Sequence, residues 1–256
     1  MVVNTNGPDQ ALRLCRLARG GGPGKGGSVA LNAVWALIAG AVLLGGAGLA
    51  QDRAGVNLET AGQGRGAPGG VAMLALAQDL YGLGLAQKDA GVVLTAARLA
   101  AAVELRAVVR VRTSEGAAAS EAREAVPPDV AAMLAVARHL AGEDEGMIGQ
   151  IDAAAADLAF GPMWLAQGAG SVLGPGGVDL WEMPLFGGSF AEIAVLGDGG
   201  ANLDVGVTDE NGNMVCLDVG ATDRLFCDFV PSWNGSFRVR VENVGGADNN
   251  YLLLTN

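Results

Sequence analysis

The chain has 256 residues, half of them hydrophobic but only 5% aromatic, with a formal net charge of −11. That length holds one large or two small domains with buried cores. Residues 1–50, with Arg13, Arg16, Arg19, Lys25 and Asp9, carry +3, so the remainder carries −14. A body this acidic repels phosphate backbones and anionic lipid, which excludes nucleic acid as a natural partner and suits the solubility of an exported protein.

Residues 29–50 are apolar apart from Asn32 and follow the basic segment. Small residues close the run at Gly48-Leu49-Ala50, as a signal peptidase requires. The expectation is a secretory signal peptide over 1–50 with cleavage near Ala50. The competing reading is an uncleaved membrane anchor, since a run of that length can cross a bilayer of ~30 Å. Either way the body of the protein is expected in the periplasm or outside the cell, and membrane contact follows only from the anchor reading. Of three cysteines, Cys15 lies in the leader, which leaves Cys216 and Cys227. An oxidising compartment favours their pairing, with a metal pair or two free thiols as alternatives.

Residues 51–70 are rich in Gly, Ala and Gln and read as a flexible lead-in. A helical period begins at residue 71, where Met73, Leu74, Ala77, Leu80, Tyr81 and Gly84 share one face. Asp89 is placed to cap a second helix, in which Val92, Val93, Ala96, Leu99, Ala100 and Val103 repeat the spacing. The pattern returns at Met133, Leu134, Ala137 and Leu140, and again at Met147, Ile148, Ile151, Ala154, Ala155 and Leu158. Two α-hairpins are expected, 71–106 and 129–159, within a helical domain spanning 71–160. Residues 108–112 alternate like a short strand or a frayed helix end, and 113–128 read as linker. His139 falls near a helix end, where an imidazolium suits the dipole.

Residues 161–178 are Gly/Pro-rich and read as an inter-domain linker anchored by Met163, Trp164 and Leu165. Seven short strands follow, at 180–186, 190–196, 203–208, 214–219, 225–230, 237–243 and 251–255, which argues for an antiparallel sandwich or jelly roll over 179–256. Leu203, Val205 and Val207 alternate with polar or small residues, as do Phe237, Val239 and Val241. Asn211-Gly212 supplies the positive φ angles of a tight hairpin. The overall expectation is α+β, helical hairpins first and a β-sandwich after.

The run Asn202-Leu203-Asp204-Val205-Gly206-Val207 leading into Asp209-Glu210-Asn211-Gly212, with the later Gly235-Ser236-Phe237-Arg238-Val239-Arg240-Val241-Glu242-Asn243 and Tyr251-Leu252-Leu253-Leu254, resembles the bacterial pre-peptidase C-terminal domain. The resemblance covers about the last third of the chain. It implies a small secreted accessory sandwich that aids substrate or surface binding, folding or export. The peptidase that usually accompanies such a module has no counterpart in the helical half, which lacks zinc-helix and serine-protease motifs. Some members of the family bind calcium through loop carboxylates. The oxygens available here are Asp198, Asp204, Asp209, Asn211 and Asp218, whose spacing is not that of an EF-hand loop, so a solvated acidic rim is the plainer expectation.

The aromatic residues of this half are expected mainly in the core. Trp233, within the turn-like Pro231-Ser232-Trp233-Asn234-Gly235, is the one candidate contact residue. The functional expectation is therefore an exported, non-catalytic accessory or binding protein with no cofactor. Its sandwich contacts a protein, a glycan or the envelope surface, and the helices support it. Two alternatives stand beside it. One is a hydrolase using Glu143, Asp144 and Glu145, or Asp204 with Asp209, since paired carboxylates can do acid–base work without histidine. The other is a structural envelope protein.

Overall fold

A computed structural model describes residues 55–59, 67–116, 129–158 and 161–256. The expected signal peptide over 1–50, its expected cleavage near Ala50 and Cys15 lie outside the described residues. Four helices and ten strands are described: α1 (Gly70–Gln87), α2 (Ala90–Ala101), β1 (Val103–Ala107), β2 (Val111–Glu115), α3 (Val130–Ala141), α4 (Glu145–Asp157), β3 (Trp164–Leu173), β4 (Val178–Leu185), β5 (Ala191–Gly197), β6 (Leu203–Thr208), β7 (Met214–Val219), β8 (Arg224–Phe229), β9 (Gly235–Asn243) and β10 (Asn249–Thr255).

Three of the four described helices begin at aspartates, and α1 follows Gly69 with no side-chain cap. Asp89 accepts hydrogen bonds from the N–H groups of Gly91 and Val92, at 2.8 and 3.1 Å, and so caps α2 as its spacing predicts. Asp129 caps α3 and Asp144 caps α4 in the same way. Between α1 and α2 the chain turns through Lys88, the one described non-glycine residue at positive φ (55°). The helices pack through small residues, Ala77, Ala96, Ala97, Ala100 and Ala137.

The strands form two five-stranded sheets, ordered β1-β3-β10-β5-β8 and β2-β4-β9-β6-β7. All neighbours are antiparallel except β1 and β3. Leu203, Val205, Val207, Phe237, Val239 and Val241 of the second sheet face Ile193, Val195, Tyr251 and Leu253 of the first across the sandwich core. The outer face of the first sheet, through Ala166, Ala194, Leu196, Leu252 and Leu254, packs against the helices in a second core. The described body is thus three layers: helices, sheet, sheet.

Three segments differ from their sequence-based expectations. Residues 103–106, read as the end of a helix, form most of β1. Residues 113–115, read as linker, complete β2. The expected linker 161–178 contains β3, the second strand of the first sheet. In β3 Ala166, Gly168, Ala169 and Gly170 give little local strand preference, so pairing with β1 on one side and β10 on the other recruits it. The sandwich therefore has ten strands, the seven expected plus three from earlier in the chain.

Each side of the sandwich is closed by one device. On one side the Cys216–Cys227 disulfide joins edge strands β7 and β8, which belong to different sheets. On the other, β1 and β2 are consecutive in the chain yet edge opposite sheets. There Asp179, fully buried, accepts hydrogen bonds from Tyr251 and Ser171 hydroxyls at 2.6 Å each, from Arg112 at 3.2 Å and from Ser114. This network ties β2 to the sandwich interior.

Candidate functional site

One end of the sandwich gathers the loops β4–β5, β6–β7 and β8–β9. The β6–β7 loop is built on Asp209, whose carboxylate accepts from the N–H groups of Asn211 (2.9 Å) and Asn213 (2.8 Å). Gly212 alone takes positive φ (85°). The expected two-residue tight turn, with positive φ at both Asn211 and Gly212, is instead a longer loop closed by Asp209 N–H to the Asn213 carbonyl at 3.0 Å. The reason is that Asp209 satisfies the inner amides, so only the last corner needs the left-handed glycine.

Neighbouring loops lock onto this one. Gly187 in the β4–β5 loop lies so near Trp233 that a Cβ there would sit 2.4 Å from the Trp233 Cα. The Gly187 N–H donates to the Asn234 side chain at 2.9 Å, and Gly188 to the Pro231 carbonyl at 2.7 Å. The Trp233 indole N–H donates to Glu210. Trp233 itself is half-buried, while Phe186, which precedes Gly187 in the chain, is 66% exposed.

A segment from far upstream completes this end. Asn57 is fully buried. Its side-chain amide donates to the Trp233 carbonyl (3.0 Å) and to Glu210 (3.2 Å), and its side-chain oxygen accepts from Trp233 N–H (3.0 Å). The Asn57 backbone N–H donates to Asp209 at 2.8 Å. The Gly55 carbonyl accepts from the side chains of Asn211 and Asn213, Glu59 N–H donates to the Val230 carbonyl, and Leu58 packs on the sandwich core. Neither Asn57 nor Glu210 was legible as a site residue, since the two lie 153 positions apart.

The electrostatics follow from these bonds. Burial pushes the Asp209 carboxyl up, but donors from Asn57, Asn213 and Asn211 outweigh it and hold the group below its ordinary value. Glu210 is also held low: burial again opposes, and the Trp233 indole and Asn57 amide prevail. Both carboxylates are charged acceptors for N–H donors.

The candidate oxygens Asp198, Asp204, Asp209, Asn211 and Asp218 do not converge. Asp209 and Asn211 stand at this end. Asp198 stands at the opposite end, beyond the start of β6, where it accepts from Gly200 N–H (2.9 Å) and the Asn250 side chain (2.6 Å). The ends are separated by the length of β6, about 20 Å. Asp218 accepts from Phe226 N–H at 2.9 Å and fastens β7 to β8 beside the disulfide. Asp204 lies half-buried on β6 among the charges of the neighbouring strand. Among the described residues no cluster of His, Cys, Asp or Glu is placed to hold a metal ion. His139 is exposed in the last turn of α3, and Asp144 is committed to capping α4.

No protein-family model and no curated protein matches the chain. Among solved structures it is similar to the pre-peptidase C-terminal domain of a collagenase from Bacillus anthracis, at 16% identity and a TM-score of 0.31, over 35% of this chain and 87% of that one. It is also similar to PliG, a periplasmic inhibitor of g-type lysozyme from Aeromonas hydrophila, at 12% identity and a TM-score of 0.26, over 36% and 84% of the two chains. A third similarity, to a carbohydrate-binding module of the β-sandwich superfamily, has 11% identity and a TM-score of 0.21, over 33% and 51%. The chain has two facing sheets, as the sandwich expected of its C-terminal sequence requires.

Proposed function

We propose that this is an exported, non-catalytic binding protein that meets a protein partner through the end of the sandwich bearing Phe186, Glu210 and Trp233, with the helices backing the first sheet. The observation that carries this reading is Phe186, a large aromatic side chain 66% exposed on a loop that is hydrogen-bonded to the loop of the half-buried Trp233. Rigid aromatic anchors on braced loops are the usual energetic centre of a protein contact. The disulfide supports an oxidising compartment, and no helix among the described residues is long and apolar enough to cross a membrane.

The carboxylate-hydrolase alternative has less support. A general acid or base works best with a pKa near the operating pH, whereas Asp209 is held low with its oxygens engaged by loop amides. Glu143, Asp144 and Glu145 are exposed at the start of α4. The test is capture of envelope proteins on the immobilised, oxidised protein. The wild type is expected to retain a partner that a Phe186→Ser, Trp233→Ala double variant loses by about thirtyfold or more, the scale of a hot spot. Equal retention by both would contradict the reading.

A further inference from the structure

The residues Gly55–Glu59 are seated in the cleft between the β6–β7 and β8–β9 loops as a bound peptide would be. Each part of the segment meets a complementary group: the Asn57 side-chain oxygen an N–H, its side-chain amide a carbonyl and a carboxylate, its backbone N–H a carboxylate. Flanking it, the Gly55 carbonyl meets two side-chain amides and the Glu59 N–H meets a carbonyl. Leu58 turns into the sandwich core, while Val56 stays 47% exposed. A pocket that satisfies both ends of a buried primary amide discriminates sharply, because any other side chain leaves the backbone N–H or carbonyl of Trp233 without its partner.

Such a set of contacts reads one side chain and the backbone on either side of it. We infer that the cleft is a peptide-recognition site for extended segments carrying asparagine followed by an apolar residue, filled in cis by residues 55–59. The natural occupant in trans is a segment of the partner protein, and Phe186, exposed on the adjoining β4–β5 loop, extends the contact beyond it. This inference rests on the binding reading above and supplies its chemistry. A tethered segment competes at millimolar effective concentration, so the resting site is masked against weak ligands and opens to stronger or longer ones.

The test uses the chain deleted for 55–59 and a synthetic peptide of residues 51–62, observed through the indole N–H resonance of Trp233. The deleted chain is expected to bind the peptide saturably and to bind the same peptide with Ala for Asn57 at least tenfold more weakly, while the wild type binds at least tenfold more weakly than the deleted chain. If the deletion does not fold, Asn57→Ala in the full chain takes its place, and the peptide is expected to displace the weakened segment. Failure of the peptide to shift the indole in whichever variant folds would overturn the inference, as would equal binding of the Ala peptide. So would a wild-type dimer formed by exchange of this segment between copies, which would make the occupant a second chain of the same protein. Loss of peptide binding with Phe186-dependent partner capture intact sinks only this inference. Peptide binding with capture indifferent to Phe186 and Trp233 sinks only the function reading.

Discussion

Asp209 shows how one side chain can build both a loop and a site. It is 1% exposed, yet charged, because backbone and side-chain donors from three asparagines surround it. A carboxylate whose folded pKa is depressed contributes stability above its unfolded value of about 4, and that contribution is lost as pH falls through the folded value. Asp209→Asn is expected to cost about 2–3 kcal/mol at pH 7, since it replaces a charged acceptor for several amides. The cost shrinks as pH falls below about 4 toward the lower folded value, where the wild type also surrenders its charge. Urea midpoints of the two proteins at pH 7 and pH 3 check this; a gap that stays constant would remove the charge from the explanation. The sequence marked Asp209 and Asn211 as loop oxygens and Trp233 as a contact candidate, from turn chemistry alone. It could not mark Asn57, because nothing local distinguishes a buried asparagine in a Gly-rich lead-in from a solvated one.

Among the elements, legibility followed how each face is covered. Strands β6 and β9 lie in the sheet with one outward face, and their alternation is plain in the letters. Strand β10, Tyr251-Leu252-Leu253-Leu254, reads as a continuous apolar run because sheet and helices cover its two sides. Strand β3 was invisible, since glycines and alanines beneath the helices carry no strand signature. The cysteine pairing, expected from compartment and count, became a bridge between sheets, which spacing alone does not disclose. Closing a loop between residues 11 positions apart is worth about 2–3 kcal/mol in the chain-entropy model. Paired Cys216→Ser, Cys227→Ser substitution should lower stability by that amount, read as a shifted denaturant midpoint. An unchanged midpoint would mean that Asp218 and the core hold the β7–β8 side without it.

For the molecule as a whole, the expected division at residues 161–178 dissolves because the sheets draw strands from both halves. Strands β1 and β2 lie between the helical hairpins in the chain and close the far side of the sandwich, so helices and sheets share one body. That arrangement leaves the first sheet covered on both faces and places the exposed Phe186 at the loop end that also holds the half-buried Trp233. The most direct measurement is backbone hydrogen exchange of the protein alone and in complex with the partner captured from the envelope. Slowed exchange confined to residues 186–190, 209–213 and 230–234 is the predicted result. Protection on α3 and α4, or at the opposite loop end around Asp198, with those three loops unchanged, would contradict it.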